Sequence, residues 1–324
     1  MGTDGSYKTI NSLMAYLRNT HDISIFGSSH KRKLRHYGYY HGFKGYRFVD
    51  SPSNRIPYRD FNELLHVIEM DRDLKSIFYS PIMFLETALK NIVLEIVLDE
   101  AKSSDFNKIF YCALNNYKYI SSSEKKKNAM RKRMNLRSSI YRTLAEQCDN
   151  RIISNFNNAN RPVPIWAIFE VITLGSFANF VGCLCPNARK KISDEMSIPV
   201  SFNTGYLIPE KVIYILKDLR NAIAHNATIF DTRFRTARID KTISRFLEDA
   251  TGISNIMFNS LVDYLILIIY IFKAIGVGKT EMRILIQQFK NVLEQSRKRL
   301  PTMIFSQIIL TDTSNKVNDL LNYI

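Results

Sequence analysis

The sequence predicts an all-α protein, and three observations carry that prediction. Long segments place apolar residues three and four positions apart, whereas strict alternation is scarce. Prolines punctuate the chain between those segments, at Pro81, Pro162, Pro164, Pro199 and Pro301. The hydrophobic fraction, 46%, is that of a globular protein with enough apolar side chains for a real core over 324 residues.

The first segment is the least regular. Met1–Ser6 formally fits an N-myristoylation pattern, although Asp4 and its polar, Gly-rich character suit an unmodified start better. Lys31, Arg32, Lys33 and Arg35 then lead into Tyr37-Gly38-Tyr39-Tyr40-His41-Gly42-Phe43-Lys44-Gly45-Tyr46-Arg47-Phe48, which reads as a loop or short irregular hairpin. From Arg59 to Phe78 the apolar positions Phe61, Leu64, Leu65, Ile68, Leu74, Ile77 and Phe78 describe an amphipathic helix. Ser80-Pro81 reads as a restart, with Ser80 as cap and Pro81 at a first helical position. The helix expected after it, Ile82 to about Leu98, is apolar on several sides and belongs inside a bundle.

Ser121–Gln147 reads as a basic helix with few large apolar residues. Arg161-Pro162-Val163-Pro164 is a rigid lead into a helix expected from Ile165 to about Phe180. Pro199–Gly205 is a loop, and Tyr206–His225 a helix with Leu207, Val212, Ile215, Leu216, Leu219 and Ile223 on its apolar side. Further helices are expected near Ile253–Ala274 and Lys279–Lys298, with a short last one beyond Pro301. The total is eight to ten helices, organised as a basic and aromatic N-terminal segment (1–57), a helical core (58–250) and a C-terminal helical extension (251–324). The run Leu265–Phe272 is far shorter than the ~20 residues a membrane span needs, so no membrane partner is expected.

Lys plus Arg number 45 and Asp plus Glu 30, a net +15 that favours a polyanionic partner through phosphate neutralisation and counterion release. The four cysteines, Cys112, Cys148, Cys183 and Cys185, form no CxxC pair and read as reduced thiols of a cytoplasmic protein. The six histidines show no metal-ligand spacing with Asp, Glu or Cys, so neither a metal nor another cofactor is expected.

The chemistry concentrates in Leu219-Arg220-Asn221-Ala222-Ile223-Ala224-His225-Asn226. RNA can be cut by its own 2′-hydroxyl, given a base, an acid and positive charge for the crowded phosphorane. His225 can move the proton, and Arg220 can hold phosphate oxygens with a bidentate fork. Asn221 lies one turn before His225 and can share its side. Arg220 lies five positions before His225, roughly 140° around an ideal helix, so the helix must end near His225 for the two to meet. One histidine cannot easily serve as base and acid in one step. A two-fold homodimer bringing two copies of this helix together would supply two. The competing reading is a surface Arg and a His that caps helix C-terminal carbonyls.

Candidate nucleic-acid contacts are Lys31, Arg32, Lys33, Arg35, Tyr39, Tyr40, Lys44 and Arg47 in the first segment. Lys125, Lys126, Lys127, Arg131, Lys132, Arg133 and Arg137 follow on the basic helix, and Arg233, Arg235 and Arg238 just beyond the motif. For most of the aromatics, a tyrosine-rich mini-core packing the arm onto the bundle is the stronger reading.

Four stretches in order resemble the Abi-like AbiD/AbiF abortive-infection proteins, a branch of the HEPN superfamily: Leu216–Asn226; Tyr37–Phe48; Asp71-Arg72-Asp73-Leu74-Lys75 followed by Phe84-Leu85-Glu86-Thr87-Ala88-Leu89-Lys90-Asn91; and Val163–Phe177. The similarity spans about residues 30 to 240. It implies an all-α HEPN-type bundle, a role in phage defence, and RNA as target or as a bound non-coding partner. It also implies that Arg220 and His225 are the catalytic pair, Asn221 the polar residue after the Arg, and Glu86 an acidic position on the preceding core helix. Where the family often has Arg after that Glu, this chain has Lys90, which keeps the charge and loses the fork. Glu86 and Lys90, four apart, read equally well as a structural ion pair.

Overall fold

The computed structural model describes residues 9–324, and the Met1–Ser6 pattern lies outside them. Among the described residues the chain is all-α, with fifteen α-helices and no strand beyond three isolated bridges. Helices α1 (Ile10–His21) and α2 (Gly27–Tyr37) precede a single π-helical turn, Tyr39–Lys44. The axis of the fold is α3, Phe61–Ala101, 41 residues and so about 60 Å long. A capping box starts it: Asp60 accepts from the Asn62 backbone at 2.7 Å while Glu63 accepts from the Asp60 backbone at 3.2 Å.

The break expected at Ser80-Pro81 does not occur. Pro81 sits inside α3, and Ser80 caps nothing. The proline brings no N–H for the Ile77 carbonyl, which ordinarily weakens a helix. Here Phe78, Ile82 and Leu85 are all buried on either side of it, so packing of both flanking turns carries the helix through. The helix expected over Ile165–Phe180 is instead two, α7 (Ile165–Val171) and α8 (Leu174–Cys183). Thr173 leaves helical geometry between them, and its hydroxyl accepts from the Ser176 backbone at 3.1 Å, an N-cap that starts α8 afresh.

The expected start at Ile253 also moves. Helix α12 is Leu261–Ala274, and the preceding residues form a loop. The Asp263 carboxylate accepts from the Met257 and Phe258 backbones at 3.1 and 2.8 Å, folding that loop back onto the first turn of α12. The total of fifteen exceeds the expected eight to ten partly because such breaks divide apolar runs that periodicity alone leaves continuous.

The remaining helices are α4 (Phe106–Cys112), α5 (Ser123–Glu146), α6 (Arg151–Asn158), α9 (Pro186–Glu195), α10 (Ile208–Ala224), α11 (Lys241–Thr251), α13 (Lys279–Arg299), α14 (Thr302–Ile308) and α15 (Thr313–Tyr323). One apolar core runs from Met14 to Ile324. The greasy α12 is buried on all its faces, and no described helix is long and apolar enough to cross a membrane. Its one buried acid, Asp263, is answered by Lys316 of α15 at 2.8 Å.

Two packings position the region of interest. Helix α8 runs antiparallel along α10, with Gly182 against Glu210 and Gly175 against Lys217. Helix α10 also crosses α3, which brings Arg220 beside Glu86.

Candidate functional site

Helix α10 ends at the motif. Ala224 is its last residue, His225 the cap, and Asn226 turns into the left-handed region at φ 50°. The Asn226 N–H donates to the Ile223 carbonyl at 3.1 Å and the Ala227 N–H to the Ala222 carbonyl at 2.8 Å, the paired bonds of a Schellman motif. His225 thereby leaves the helix and stands exposed, as does Asn221. The helix stops only at His225, whose N–H still donates to the Asn221 carbonyl at 2.9 Å, so the roughly 140° offset persists and, among the described residues, no hydrogen bond joins Arg220 to His225 within one chain.

Arg220 lies over α3. Its Nε is 3.3 Å from Glu86 Oε2, and Lys90 Nζ is 3.0 Å from Glu86 Oε1. The i,i+4 pair expected from the sequence is formed, and it is shared with Arg220. Lys90 also points at the Ile172 carbonyl, 3.5 Å away, where α7 gives way to α8. The Arg220–Glu86 approach is electrostatic only: both facing atoms are buried and neither completes a hydrogen bond. The one internal hydrogen bond of this guanidinium runs from Nη1 to Asn221 Oδ1 at 3.5 Å. A carboxylate therefore holds Arg220 in place while leaving most of its fork unoccupied, with about a third of the side chain exposed. Beside it is a cleft of about 90 Å³ lined by Tyr79, Ile82, Met83 and Ile223.

Behind the motif lies a network that the sequence reading does not contain. Asp71 is fully buried. Its Oδ1 accepts from the Ile229 and Phe230 backbones at 2.9 and 2.8 Å. Its Oδ2 accepts from the Tyr46 hydroxyl and from Lys75 Nζ, both at 2.8 Å. Lys75 Nζ also donates to Asn226 Oδ1 at 2.9 Å. One α3 carboxylate thus ties the aromatic arm, the loop after α10 and, through Lys75, the residue next to His225. The Tyr46 hydroxyl is held strongly protonated, first by burial and then by the Asp71 charge. Asp71 and Lys75 lie within a stretch singled out by resemblance, and their i,i+4 spacing was the one local signal available.

The predicted cations divide into free and committed groups. Lys31, Arg32 and Arg35 are exposed on α2, with Lys33 half-buried. Lys125, Lys126, Lys127 and Arg131 are exposed on α5, as is Arg238 beyond α10. Tyr40 is 68% exposed, whereas Tyr39 is half-buried against Phe43 with Lys44 over its ring. Arg47 stacks on Phe48. Lys132 forms an ion pair with Glu210 of α10. Arg133 is buried, donating to the Phe110 carbonyl at 2.7 Å with its guanidinium 3.6 Å from the Phe110 ring centroid. Arg137 leans on Tyr111, Tyr141 and Asn107. Arg233 donates to the Gly45 and Phe48 carbonyls and pairs with Asp231, and Arg235 donates to the Thr232 carbonyl. Arg133 and Arg233 are therefore structural; the free charge lies mainly on α2 and the first half of α5.

Among the described residues no three His, Cys, Asp or Glu side chains come together as metal ligands. The described cysteines are all unpaired, Cys183 and Cys185 in the core, where burial pushes the Cys183 thiol up to about 11.

Fold and centre together define a class: an all-helical protein whose long central helix supports a half-buried arginine near the end of a second helix that an exposed histidine caps. A profile of the Abi-like protein family matches residues 32–231, which takes in the aromatic arm, α3, α5, α8 and α10. The chain belongs to that Abi-like family. No curated protein and no solved structure matches it.

Proposed function

We propose that this chain is a phage-defence protein of the abortive-infection kind, built on a HEPN-type bundle, that binds RNA and cuts it without a metal. The observation that carries the reading is Arg220: an arginine fixed in place by Glu86, with most of its donors unoccupied, five residues before a histidine that stands exposed at the helix end. His225 moves the proton of the 2′-hydroxyl or of the leaving 5′-oxygen. Arg220 steadies the phosphorane. Asn221 orients the guanidinium. Cleavage in this way leaves a 2′,3′-cyclic phosphate.

A homodimer supplies the second histidine. The exposed Tyr79, 55% accessible and lining the cleft with Met83 beside Arg220, supports a partner copy on this face. The test is incubation of the purified chain with single-stranded RNA in EDTA, beside His225→Ala and Arg220→Ala. The expected result is cleavage to cyclic-phosphate ends, lost in both variants by at least about a hundredfold. Cleavage that vanishes in EDTA, or survives His225→Ala, overturns the nuclease assignment.

A second reading is favoured by how widely the free cations extend. Exposed bases on both α2 and α5 offer more surface than one scissile phosphate requires. They suit a ribonucleoprotein in which a structured non-coding RNA is held and the nuclease is silent. One RNA species co-purifying at fixed stoichiometry, from a complex that cuts nothing, would select that reading.

A further inference from the structure

Between α5 and α8 lies a trench of about 460 Å³ whose lining is unusual for two packed helices. Helices that pack present apolar stripes to one another. Here the stripe of α5 beside its buried Leu136 reads Asn128, Arg131, Asn135 and Ser139, spaced three and four apart, and α8 answers with Ser176 and Asn179. No carboxylate lines the trench. Among the described residues, neither the Asn135 nor the Asn179 amide has a partner within the chain. Each leaves two donors and an acceptor facing the groove.

Amides and hydroxyls with a cation at one side match a ribose–phosphate chain. The 2′-hydroxyl both donates and accepts, which the Asn135 and Asn179 amides answer directly and Ser139 and Ser176 answer by releasing their mutual 3.4 Å contact, while phosphate accepts from Arg131, which otherwise donates to Asn128 at 3.4 Å. The trench is also aimed. Its outer end meets the exposed Lys125–Lys127 turn of α5. Ser176 at its inner end is one turn into α8, close behind Ile172, whose carbonyl faces Lys90 at 3.5 Å, and Lys90 shares Glu86 with Arg220. Lys132 ties the trench wall to Glu210 of α10, ten residues before Arg220 and so about 15 Å along that helix. The two carboxylates along this route, Glu210 and Glu86, are each neutralised by a lysine.

We propose that the α5–α8 trench is a binding track for a single strand of RNA, which grips its riboses and phosphates and leads it toward Arg220. The proposal deepens the nuclease reading and rests on it only for the destination of the strand. The experiment measures binding by the His225→Ala chain to a fluorescent single-stranded RNA and to the DNA of the same sequence. Asn135→Leu/Asn179→Leu is then added, which removes both amides and no charge. RNA binding is expected to weaken about tenfold, DNA binding to change far less, and the salt slope to stay constant. RNA binding within about twofold of the parent, at an unchanged RNA-to-DNA ratio, overturns the track.

A second measurement covers a variant that folds poorly. Ser139→Cys, read by site-resolved mass spectrometry, should react with a maleimide more slowly when RNA is bound; equal rates overturn the proposal. The two readings fail separately. A wild-type chain that cuts nothing in EDTA, while the trench variant still loses RNA, removes the nuclease and leaves the track. A chain that cuts RNA with unchanged KM in the trench variant removes the track and leaves the nuclease.

Discussion

Replacing Lys75 with Met removes the cation that Asp71 and Asn226 share. Asp71 is fully buried and the Lys75 side chain is 10% exposed, so solvent cannot take over the missing contact. Removing one partner of a buried pair ordinarily costs about 3–5 kcal/mol, because the other charge is left uncompensated. Asp71 keeps three further hydrogen bonds, from Tyr46 and from the backbones of Ile229 and Phe230, and Met fills much of the lysine's volume. The cost should therefore fall at the lower end, about 3 kcal/mol. Urea unfolding should show a lower midpoint with an unchanged slope. Asp71→Leu in the same chain removes the stranded charge, so the double variant should be more stable than the sum of the single costs by about 1–3 kcal/mol. A loss below about 1 kcal/mol for Lys75→Met, or strict additivity in the cycle, would refute the idea that this pair is a coupled buried network.

Asn226 separates the fold from the placement of His225. Asn226→Gly keeps the left-handed turn and drops the Lys75 contact, so cleavage should fall while the melting temperature barely moves; Asn226→Asp, which retains an acceptor, should restore it. Burial, and after it the nearby Arg55, lower the pKa of His21, whose ring packs between Tyr16 and Phe43. Its stabilising contribution is complete above the unfolded value near 6.5 and is lost as pH falls below it. His21→Phe should flatten the stability profile between pH 7 and 5. Gly182→Ala places a methyl group onto the Glu210 carboxylate, the movable end of a side chain, so Glu210 should swing aside and give up Lys132 at a cost of at most about 1 kcal/mol, read by calorimetry, with α8 and α10 still packed.

What the sequence reveals and conceals follows from range. The Glu86–Lys90 pair, the basic α5 and the exposed His225 rest on residues within a few turns of each other, and periodicity and composition reach that far. The Asp71 network joins residues 25 and 159 positions apart, and no local pattern brings Tyr46 and Phe230 to one carboxylate. A neighbour distant in sequence likewise decides the different fates of Lys125 and Arg133. Both stand in one basic helix, yet Arg133 turns inward onto Phe110, a neighbour supplied by another helix. Pro81 shows local preference overruled, since buried neighbours on both sides hold α3 straight through a residue that favours a start.

The centre holds one exposed histidine per chain, and this shapes the last prediction. Arg220 sits in a shallow cleft with Tyr79 and Met83, where Tyr79 exposes apolar surface. If a second copy covers that face, the Arg of one protomer and the His of the other can act on one phosphate. Arg220→Ala alone leaves dimers without the charge, and His225→Ala alone leaves dimers without the proton carrier. Mixed and allowed to exchange, about half the dimers carry one intact Arg and one intact His on opposite chains. Recovery of cleavage in the mixture, from two inactive parents, means the pair works across the interface. An inactive mixture whose exchange is verified by mass spectrometry means that one Arg and one His across the interface do not suffice. Wild type exchanged with His225→Ala then decides: heterodimers with a single histidine are inactive if both histidines act on one phosphate, and half-active if each chain brings its own pair, the result that ends the two-fold argument.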